Sequence, residues 1–275
     1  MLKQRLIFGA IGIVLALAVL LFCSVKFISL CVGVIALIGM YEFFKVTGLL
    51  KKKTPAVFIG FVFSALLYVL AIFAGGFLKE NLMLVFAGYI FALMAAMVFF
   101  HDNFSFSDGA LSFLGSSYIS IFFLHIIFIR QSEFGNLNIW LIFISAWATD
   151  SFAYFAGRAL GKHKLCPKIS PKKTVEGAIG GTVGCVVCIC LYAFLCSKYQ
   201  GIGVNYISAC VFAVLTAVFS QLGDLAASCI KREYGVKDYG NLIPGHGGIL
   251  DRFDSALLIS PLVYYFTLYF PILIK

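Results

Sequence analysis

The segment PAVFIGFVFSALLYVLAIFAGG, which runs from Pro55 to Gly76, decides the fold class of this chain. Its 22 residues include no charged side chain, and a helix of about 20 apolar residues crosses the roughly 30 Å hydrocarbon core of a bilayer. The whole chain is 62% hydrophobic and only 12% charged, with a mean hydropathy of +1.02. Because soluble domains carry about 25% charged residues, the composition excludes a soluble fold and predicts that lipid surrounds most of the chain.

Apolar segments of this kind recur along the sequence with no room for a soluble domain between them. We therefore predict an all-α fold, a polytopic helical bundle of about nine transmembrane helices that forms a single membrane domain over residues 1–275. Within it we expect residues 1–135 to serve as scaffold or dimerisation helices and residues 136–275 to carry catalysis. The nine predicted spans lie near 6–24, 27–44, 55–76, 82–100, 110–129, 137–157, 176–196, 204–226 and 255–273.

The basic residues predict the orientation of the bundle. A cytoplasmic N-terminus puts 16 of the 21 Lys and Arg residues inside, and five outside, in agreement with the excess of basic residues in cytoplasmic loops. The outer five are Lys26, Lys79, Arg130, Lys198 and Lys275. The two longest polar loops, 158–175 and 228–254, then share the cytoplasmic face. The net charge of +9 follows from this topology and from anionic lipid, and we expect no nucleic-acid partner.

The N-terminal span and the cysteines support the same membrane class. The first apolar run is longer than the roughly 7–15 residues of a signal-peptide core, so we predict an uncleaved anchor. The nine cysteines lie mostly in apolar spans and predict no disulfide framework. Cys185, Cys188 and Cys190 are expected to be packing residues and not metal ligands.

A polar segment of 27 residues, from Ser228 to Asp254, interrupts the apolar pattern. It contains several glycines, and its charged and histidine side chains include Lys231, Arg232, Lys237, Asp238, His246, Asp251, Arg252 and Asp254. Cations bind phosphates, carboxylates bind Mg²⁺, and glycines such as Gly247 and Gly248 allow backbone N–H groups to turn onto a phosphate. The segment predicts a phosphate-handling active site at a membrane surface.

Two further stretches place charge at or inside the lipid. Asp150 follows a dozen apolar residues, and its helical neighbours Ala153 and Gly157 are small, which suits close helix contact or a ligand cavity. A carboxylate there needs a cation, and Arg158 is the expected partner, either in a structural ion pair or in a functional site. Lys172 and Lys173 precede a helix start, where N–H groups attract anions, although such a run also serves as a topology signal.

Acidic residues from different spans are candidates for a metal site. Ser220, Asp224 and Ser228 recur every four residues at the inner end of the eighth span, so this stripe must face protein or a wet cavity. Asp251 and Asp254 share one face if the ninth helix begins near Asp251. Asp224 and Asp251 are expected to meet at one Mg²⁺, with Asp254 or Asp150 available for a second ion.

Glu42, in the second span, is an acid within an apolar segment and hence a candidate functional residue. Because it lies near the end of the span, we expect it to reach the interface or to pair with Lys45.

The polar motifs resemble a known family. The pattern Ser228-x-Ile230-Lys231-Arg232-x₄-Lys237-Asp238-x-Gly240-x₂-Ile243-Pro244-x-His246-Gly247-Gly248-Ile249-x-Asp251-Arg252-Phe253-Asp254 closely resembles the signature of phosphatidate cytidylyltransferases, also called CDP-diacylglycerol synthases. The stretches 150–161 and 170–177 resemble the same family, and the likeness covers roughly residues 145–260 with no departure at the motif positions. The resemblance implies transfer of CMP from CTP to phosphatidate with Mg²⁺ and release of pyrophosphate. It also implies a homodimer in the cytoplasmic (inner) membrane of a bacterium, with the active site facing the cytoplasm.

On this resemblance each candidate residue receives an expected role. The metal ligands are Asp224 and Asp251, with Asp254 and Asp150 as further ligands or supports of one or two ions. The catalytic set is Asp224, Asp251, Lys231, Arg232, Lys237 and His246. The phosphate-binding set is Lys172, Lys173, Arg252, Ser228, Gly247 and Gly248.

Three alternatives stay open at the level of sequence. A CTP-dependent kinase of an isoprenoid alcohol would release CDP instead of pyrophosphate. A transporter of phosphorylated metabolites would use Asp150 and Asp224 as coupling groups, but motifs on one face and not at the midplane disfavour it. The third alternative, a catalytically silent membrane scaffold, does not explain the complete motif.

Overall fold

The computed structural model describes residues 19–20, 22–52, 54–242 and 247–275. Within this part α-helices dominate, joined by one π-helical turn and two short antiparallel two-stranded sheets, which confirms the predicted all-α membrane bundle. The helices are α1 (Val25–Val46), α2 (Leu49–Lys52), α3 (Pro55–Phe73), α4 (Gly75–Phe99), α5 (Phe106–Ser116), the π-helix (Ser117–Ile121), α6 (Phe122–Arg130), α7 (Gly135–Leu160), α8 (Val175–Gln200), α9 (Tyr206–Glu233) and α10 (Leu250–Tyr269). The strands are β1 (Lys164–Cys166), β2 (Ser170–Thr174), β3 (Gly203–Val204) and β4 (Leu273–Ile274).

Seven helical segments of the described chain are long and apolar enough to cross a membrane. They overlap the second to eighth predicted spans. The ends agree within four residues, except that α4 begins seven residues earlier and α9 ends seven residues later than predicted. Most of the first predicted span, 6–24, lies outside the described residues, which include only 19–20 and 22–24 of it. Helix α10 occupies the place of the ninth span and has 20 residues, but it is not among the seven. The count of nine crossings and the cytoplasmic N-terminus therefore remain predictions.

The hydroxyl group of Ser120, within the fifth predicted span, faces helix α3. Ser120, in the π-helix, donates to the hydroxyl of Ser64 at 2.8 Å, and its backbone carbonyl accepts from the hydroxyl of Tyr68 at 2.8 Å. A π-helical turn displaces the local backbone pairing, so a partner from α3 satisfies a carbonyl that lies within an apolar segment. Ser120 thus lies on an interior face of the segment Phe106–Arg130 and does not break it.

The chain divides into two compact units. The first runs to Ile127 and includes the later segment Tyr234–Arg252, and the second comprises Phe128–Glu233 with Phe253–Lys275. The scaffold and catalytic roles predicted for residues 1–135 and 136–275 remain predictions.

In the second unit, α7 and α8 pack closely because glycines face the small-residue stripe predicted around Asp150. A Cβ at Gly181 would lie 2.7 Å from the carbonyl oxygen of Thr149 and 3.0 Å from the Cβ of Ala153. At Gly177 it would lie 2.8 Å from the carbonyl of Ala153. Glycine at these positions lets the two backbones approach, which is a common basis of helix association in lipid.

Candidate active site

The centre of the candidate site in the second unit is an ion pair between Lys173 and Asp224. The Nζ atom of Lys173 lies 2.6 Å from Oδ2 of Asp224, and both side chains are about one-quarter to one-third exposed (25% and 32%). Lys173 is the penultimate residue of strand β2. Thr174 ends that strand and caps α8, because its hydroxyl accepts from the N–H of Gly177 at 3.1 Å. Asp224 projects from α9, where Ser228 donates to its Oδ1 at 3.5 Å.

Two more carboxylates belong to the same cluster. Asp150 on α7 interacts electrostatically with Asp224 and with Lys173. Asp254 on α10 interacts with Asp224, Lys231 and Asp150. Helices α9 and α10 meet at Gly223, where a Cβ would lie 2.6 Å from the carbonyl oxygen of Asp254. Three helices of this unit therefore bring three of the four predicted metal-binding aspartates together, with cations beside them.

The pairing expected within α7 is wrong. The electrostatic partners of Asp150 are Asp224 and Lys173, whereas the guanidinium of Arg158 donates to the hydroxyl of Tyr154 at 3.5 Å. Strand β2, and not α7 itself, supplies the cation that interacts with Asp150.

A cavity of about 350 Å³ opens beside this cluster. The charged side chains that line it are Asp150, Arg158, Lys172, Lys173 and Asp224. Tyr154, Gln221 and small residues of α7 and α8 complete the wall. Three cations and two carboxylates around one cavity suit a ligand that combines phosphates with a divalent cation.

The hairpin of β1 and β2 borders the cavity, and Glu176 anchors it. The strands pair with Lys164 opposite Thr174 and Cys166 opposite Ser170. Glu176, in the first turn of α8, accepts from the backbone N–H of Lys162 at 3.1 Å and of His163 at 3.2 Å. Sequence reasoning gave Glu176 no role, although an acid in the first turn of a helix is a signal for such a contact.

Asp251 belongs to the first unit and contacts backbone groups. It is 9% exposed, and its Oδ2 accepts from the N–H of Tyr239 at 2.7 Å and of Gly248 at 3.0 Å. Gly247 has φ +87, which favours glycine. One oxygen of this carboxylate thus binds the backbone at two points, Tyr239 and Gly248. Its role as a metal ligand and its meeting with Asp224 at one ion stay predictions.

The other predicted cations are spread over both units. Lys231 is buried at 8% exposure and Arg232 is exposed, and both lie near the end of α9 in the second unit. Lys237 and Arg252 are exposed in the first unit. His246, predicted to be catalytic, lies outside the described residues together with 243–245.

The expectation that Glu42 reaches the interface is wrong, and its main partners are backbone groups. The side chain does not reach an interface, because it is only 4% exposed and accepts two backbone hydrogen bonds from the start of α10. Lys45 contributes only an electrostatic interaction.

The aspartates of the second unit fit a divalent metal by their chemistry. In the described part of the chain, His, Cys, Asp and Glu form no group of three or more that could hold an ion by themselves. Mg²⁺ does not require one, since it typically takes one or two carboxylates plus phosphate oxygens and water. Asp224 already holds a cation, the ammonium of Lys173, so its carboxylate occupies a position that favours positive charge.

Comparison with known proteins gives consistent matches. A sequence model described as the cytidylyltransferase family matches residues 3–270. A protein of Bacillus subtilis (strain 168) named phosphatidate cytidylyltransferase is 41% identical over 177 residues, which is 64% of each chain. One of Staphylococcus haemolyticus with the same name is 33% identical over 264 residues, or 95% of this chain and 97% of that protein. The alignment thus spans slightly less than two thirds of the first relative and nearly all of the second.

Proposed function

The chain belongs to the cytidylyltransferase family, and we propose that it transfers CMP from CTP to phosphatidate, giving CDP-diacylglycerol and pyrophosphate. The observation that carries this proposal is the pair of Asp224 and Lys173, 2.6 Å apart, beside a cavity lined by further cations and carboxylates. The names of the relatives supply the lipid substrate. The apolar helices supply a setting in which a lipid can approach sideways.

The reaction forms one P–O bond and breaks another. An oxygen of the phosphatidate phosphomonoester attacks the α-phosphorus of CTP, and the bond from that phosphorus to the bridging oxygen breaks as pyrophosphate leaves. A phosphomonoester whose second pKa is about 6 is largely ionised at neutral pH, so the nucleophile needs neither a strong base nor a serine or cysteine. Catalysis then depends on positioning and on charge neutralisation.

The cations divide between the two sets of phosphates. Lys172 and Lys173 lie in the cavity wall and bind one phosphate group at the start of α8, where free N–H groups favour anions. The other cations bind the remaining phosphates together with Gly247 and Gly248, and hold the attacking oxygen in line with the leaving group. These cations are Lys231, Arg232, Lys237 and Arg252.

We assign Mg²⁺ to Asp224, with Asp150, Asp254 and Asp251 as further ligands or supports of this ion or of a second one. When bound, the metal would neutralise charge on the triphosphate. The carboxylates orient the nucleotide, and Lys173 keeps Asp224 in place.

We place the site on the cytoplasmic face of the bacterial inner membrane, because the positive-inside rule puts both polar loops there and CTP is a cytoplasmic metabolite. A homodimer is part of the proposal on the family resemblance alone.

The test uses purified full-length protein in mixed micelles with phosphatidate, Mg²⁺ and CTP labelled at the α-phosphate. We expect labelled CDP-diacylglycerol on thin-layer plates and release of pyrophosphate. Absence of labelled lipid contradicts the proposal. Two parallel assays test the alternatives. Release of CDP with phosphorylation of an isoprenoid alcohol that replaces phosphatidate would establish the kinase, and flux into sealed vesicles that contain the protein, without chemical change, would establish the transporter.

Substitution of the aspartates tests the metal assignment within the same assay. We expect Asp224→Asn to lower kcat about 100-fold or more, the range seen when one charge-stabilising group is lost. The matched control is Asp102→Asn, because Asp102 is 84% exposed in a loop of the first unit. Normal turnover by both Asp224→Asn and Asp251→Asn would overturn the assignment.

A further inference from the structure

Glu42 is a buried acid in a membrane-spanning helix whose partners are backbone groups far along the chain. Its side chain on α1 is 4% exposed. Oε1 accepts from the N–H of Ile249 and Oε2 from the N–H of Leu250, each at 3.0 Å. These donors belong to the start of α10, where the first N–H groups have no partner within the helix. The carboxylate therefore satisfies two donors and complements the positive end of the helix dipole.

The fit around Glu42 is close on two sides. A Cβ at Gly240 would lie 2.5 Å from Oε1 of Glu42, and a Cβ at Gly248 would lie 2.4 Å from the same atom. Any side chain at either position must displace the carboxylate. Two glycines of the polar segment thus leave the space that the acid of α1 occupies.

Asp251 binds the same segment through its own carboxylate. Its Oδ2 accepts from the N–H groups of Tyr239 and Gly248. Together the two acids hold four backbone N–H groups between residues 239 and 250, all within the first unit. Charge-assisted hydrogen bonds of this kind are about twice as strong as neutral ones.

We propose that Glu42 is a positioning residue of the transferase, acting through the start of α10. It fixes the backbone of residues 248–250, and so the position of the next two residues, Asp251 and Arg252, to which the proposed function assigns roles. The inference rests on the proposed function, because those two residues owe their importance to it. Groups that orient a functional residue are needed to hold its geometry within about 0.5 Å, and displacement by 1 Å can cost about 100-fold in rate.

The first test compares Glu42→Gln, Glu42→Asp and the control Glu80→Gln, which alters an exposed acid of α4. An amide has one acceptor oxygen instead of two, so Glu42→Gln leaves one N–H of α10 without its partner. We expect kcat per folded molecule to fall at least about tenfold, with KM changing less and with melting temperature and elution volume near wild type. Glu42→Asp, which keeps both oxygens, should retain more activity than Glu42→Gln. A loss that only follows the folded fraction, or kcat of Glu42→Gln within twofold of wild type, overturns the proposal.

The second test does not depend on catalysis. Hydrogen exchange in detergent should be faster in Glu42→Gln than in wild type for peptides that contain Ile249 and Leu250, because backbone amides exchange when their bonds open. Gly240→Ala should produce the same change from the loop side, and Gly88→Ala is its control, since a Cβ there meets nothing within 4 Å. Unchanged exchange in Glu42→Gln and Gly240→Ala overturns the proposal. If exchange is faster in Glu42→Gln but the wild-type protein has no transferase activity, the proposed function is refuted, while the contact between Glu42 and the start of α10 is still supported.

Discussion

At the scale of single residues, sequence pattern predicted which side chains matter better than it predicted their partners. The four-residue spacing of Ser220, Asp224 and Ser228 predicted one polar face on α9, and Ser228 does donate to Asp224. The prediction of Arg158 as the partner of Asp150 was wrong because helical spacing compares residues only within one helix. Lys173 comes from a different element, and nothing in the spacing of α7 indicates which neighbour it meets.

Glu42 and Asp251 illustrate a second limit at this scale. Both carboxylates bind backbone N–H groups, and every residue except proline carries such a donor. A sequence therefore gives no sign of which amide a buried acid meets. The signal available was the acid itself within an apolar span, together with the glycines at 240 and 248.

The ion pair of Lys173 and Asp224 predicts coupled effects on turnover. Lys173→Met and Asp224→Asn should each lower kcat/KM, and the double variant should lose less than the product of the two losses. Residues in contact show coupling of about 0.5–3 kcal/mol, whereas distant sites are additive. The measurement is a double-mutant cycle on kcat/KM. The control cycle pairs Asp224→Asn with Lys168→Met, an exposed lysine of the hairpin turn, and additivity in the first cycle would contradict the coupling.

At the scale of elements, the small-residue stripe of α7 was predicted correctly as a contact face, and the structure adds which helix it meets. Ala153 and Gly157 face glycines of α8, and both also line the cavity. The hairpin of β1 and β2 was not predicted. Pro167 and Pro171 disfavour a helix, but the pairing of β1 with β2 depends on a register that the short strands do not specify.

Gly181→Leu should push α7 and α8 apart. A Cβ at this position already lies 2.7 Å from the carbonyl of Thr149, and overpacking a close contact costs about 1–3 kcal/mol. Because Asp150 follows Thr149 directly, we expect both a lower melting temperature in detergent and reduced transferase activity. Gly88→Leu is the matched control on α4, where the added atoms meet open space. Equal melting temperatures and activities for the two variants would contradict this packing.

At the scale of the whole molecule, hydropathy predicted seven helical segments well, because lipid permits few alternatives to a continuous helix. Contacts at one end of the second unit also agree with the predicted alternation of inner and outer loops. Strand β4 pairs with β3, and Lys275 lies 2.5 Å from Glu133, whose carboxylate raises the pKa of Lys275. In the second unit, the loops that were predicted to lie on the outer side thus meet at one end of the helices. Helix α8, with 26 residues, spans about 39 Å and separates that end from the hairpin.

This arrangement predicts that the C-terminus lies outside the cell if the N-terminus lies in the cytoplasm and nine segments cross. Alkaline phosphatase fused after Lys275 should be active, because it folds only where disulfides form. Green fluorescent protein fused at the same point should stay dark, whereas the same protein fused before Met1 should fluoresce. Enzyme activity and fluorescence in intact cells are the measurements. An inactive phosphatase fusion together with a fluorescent C-terminal fusion would mean an even number of crossings. The compartment that contains the hairpin, Lys173 and Asp224 would then have to be assigned again, with a different set of loops on the cytoplasmic side.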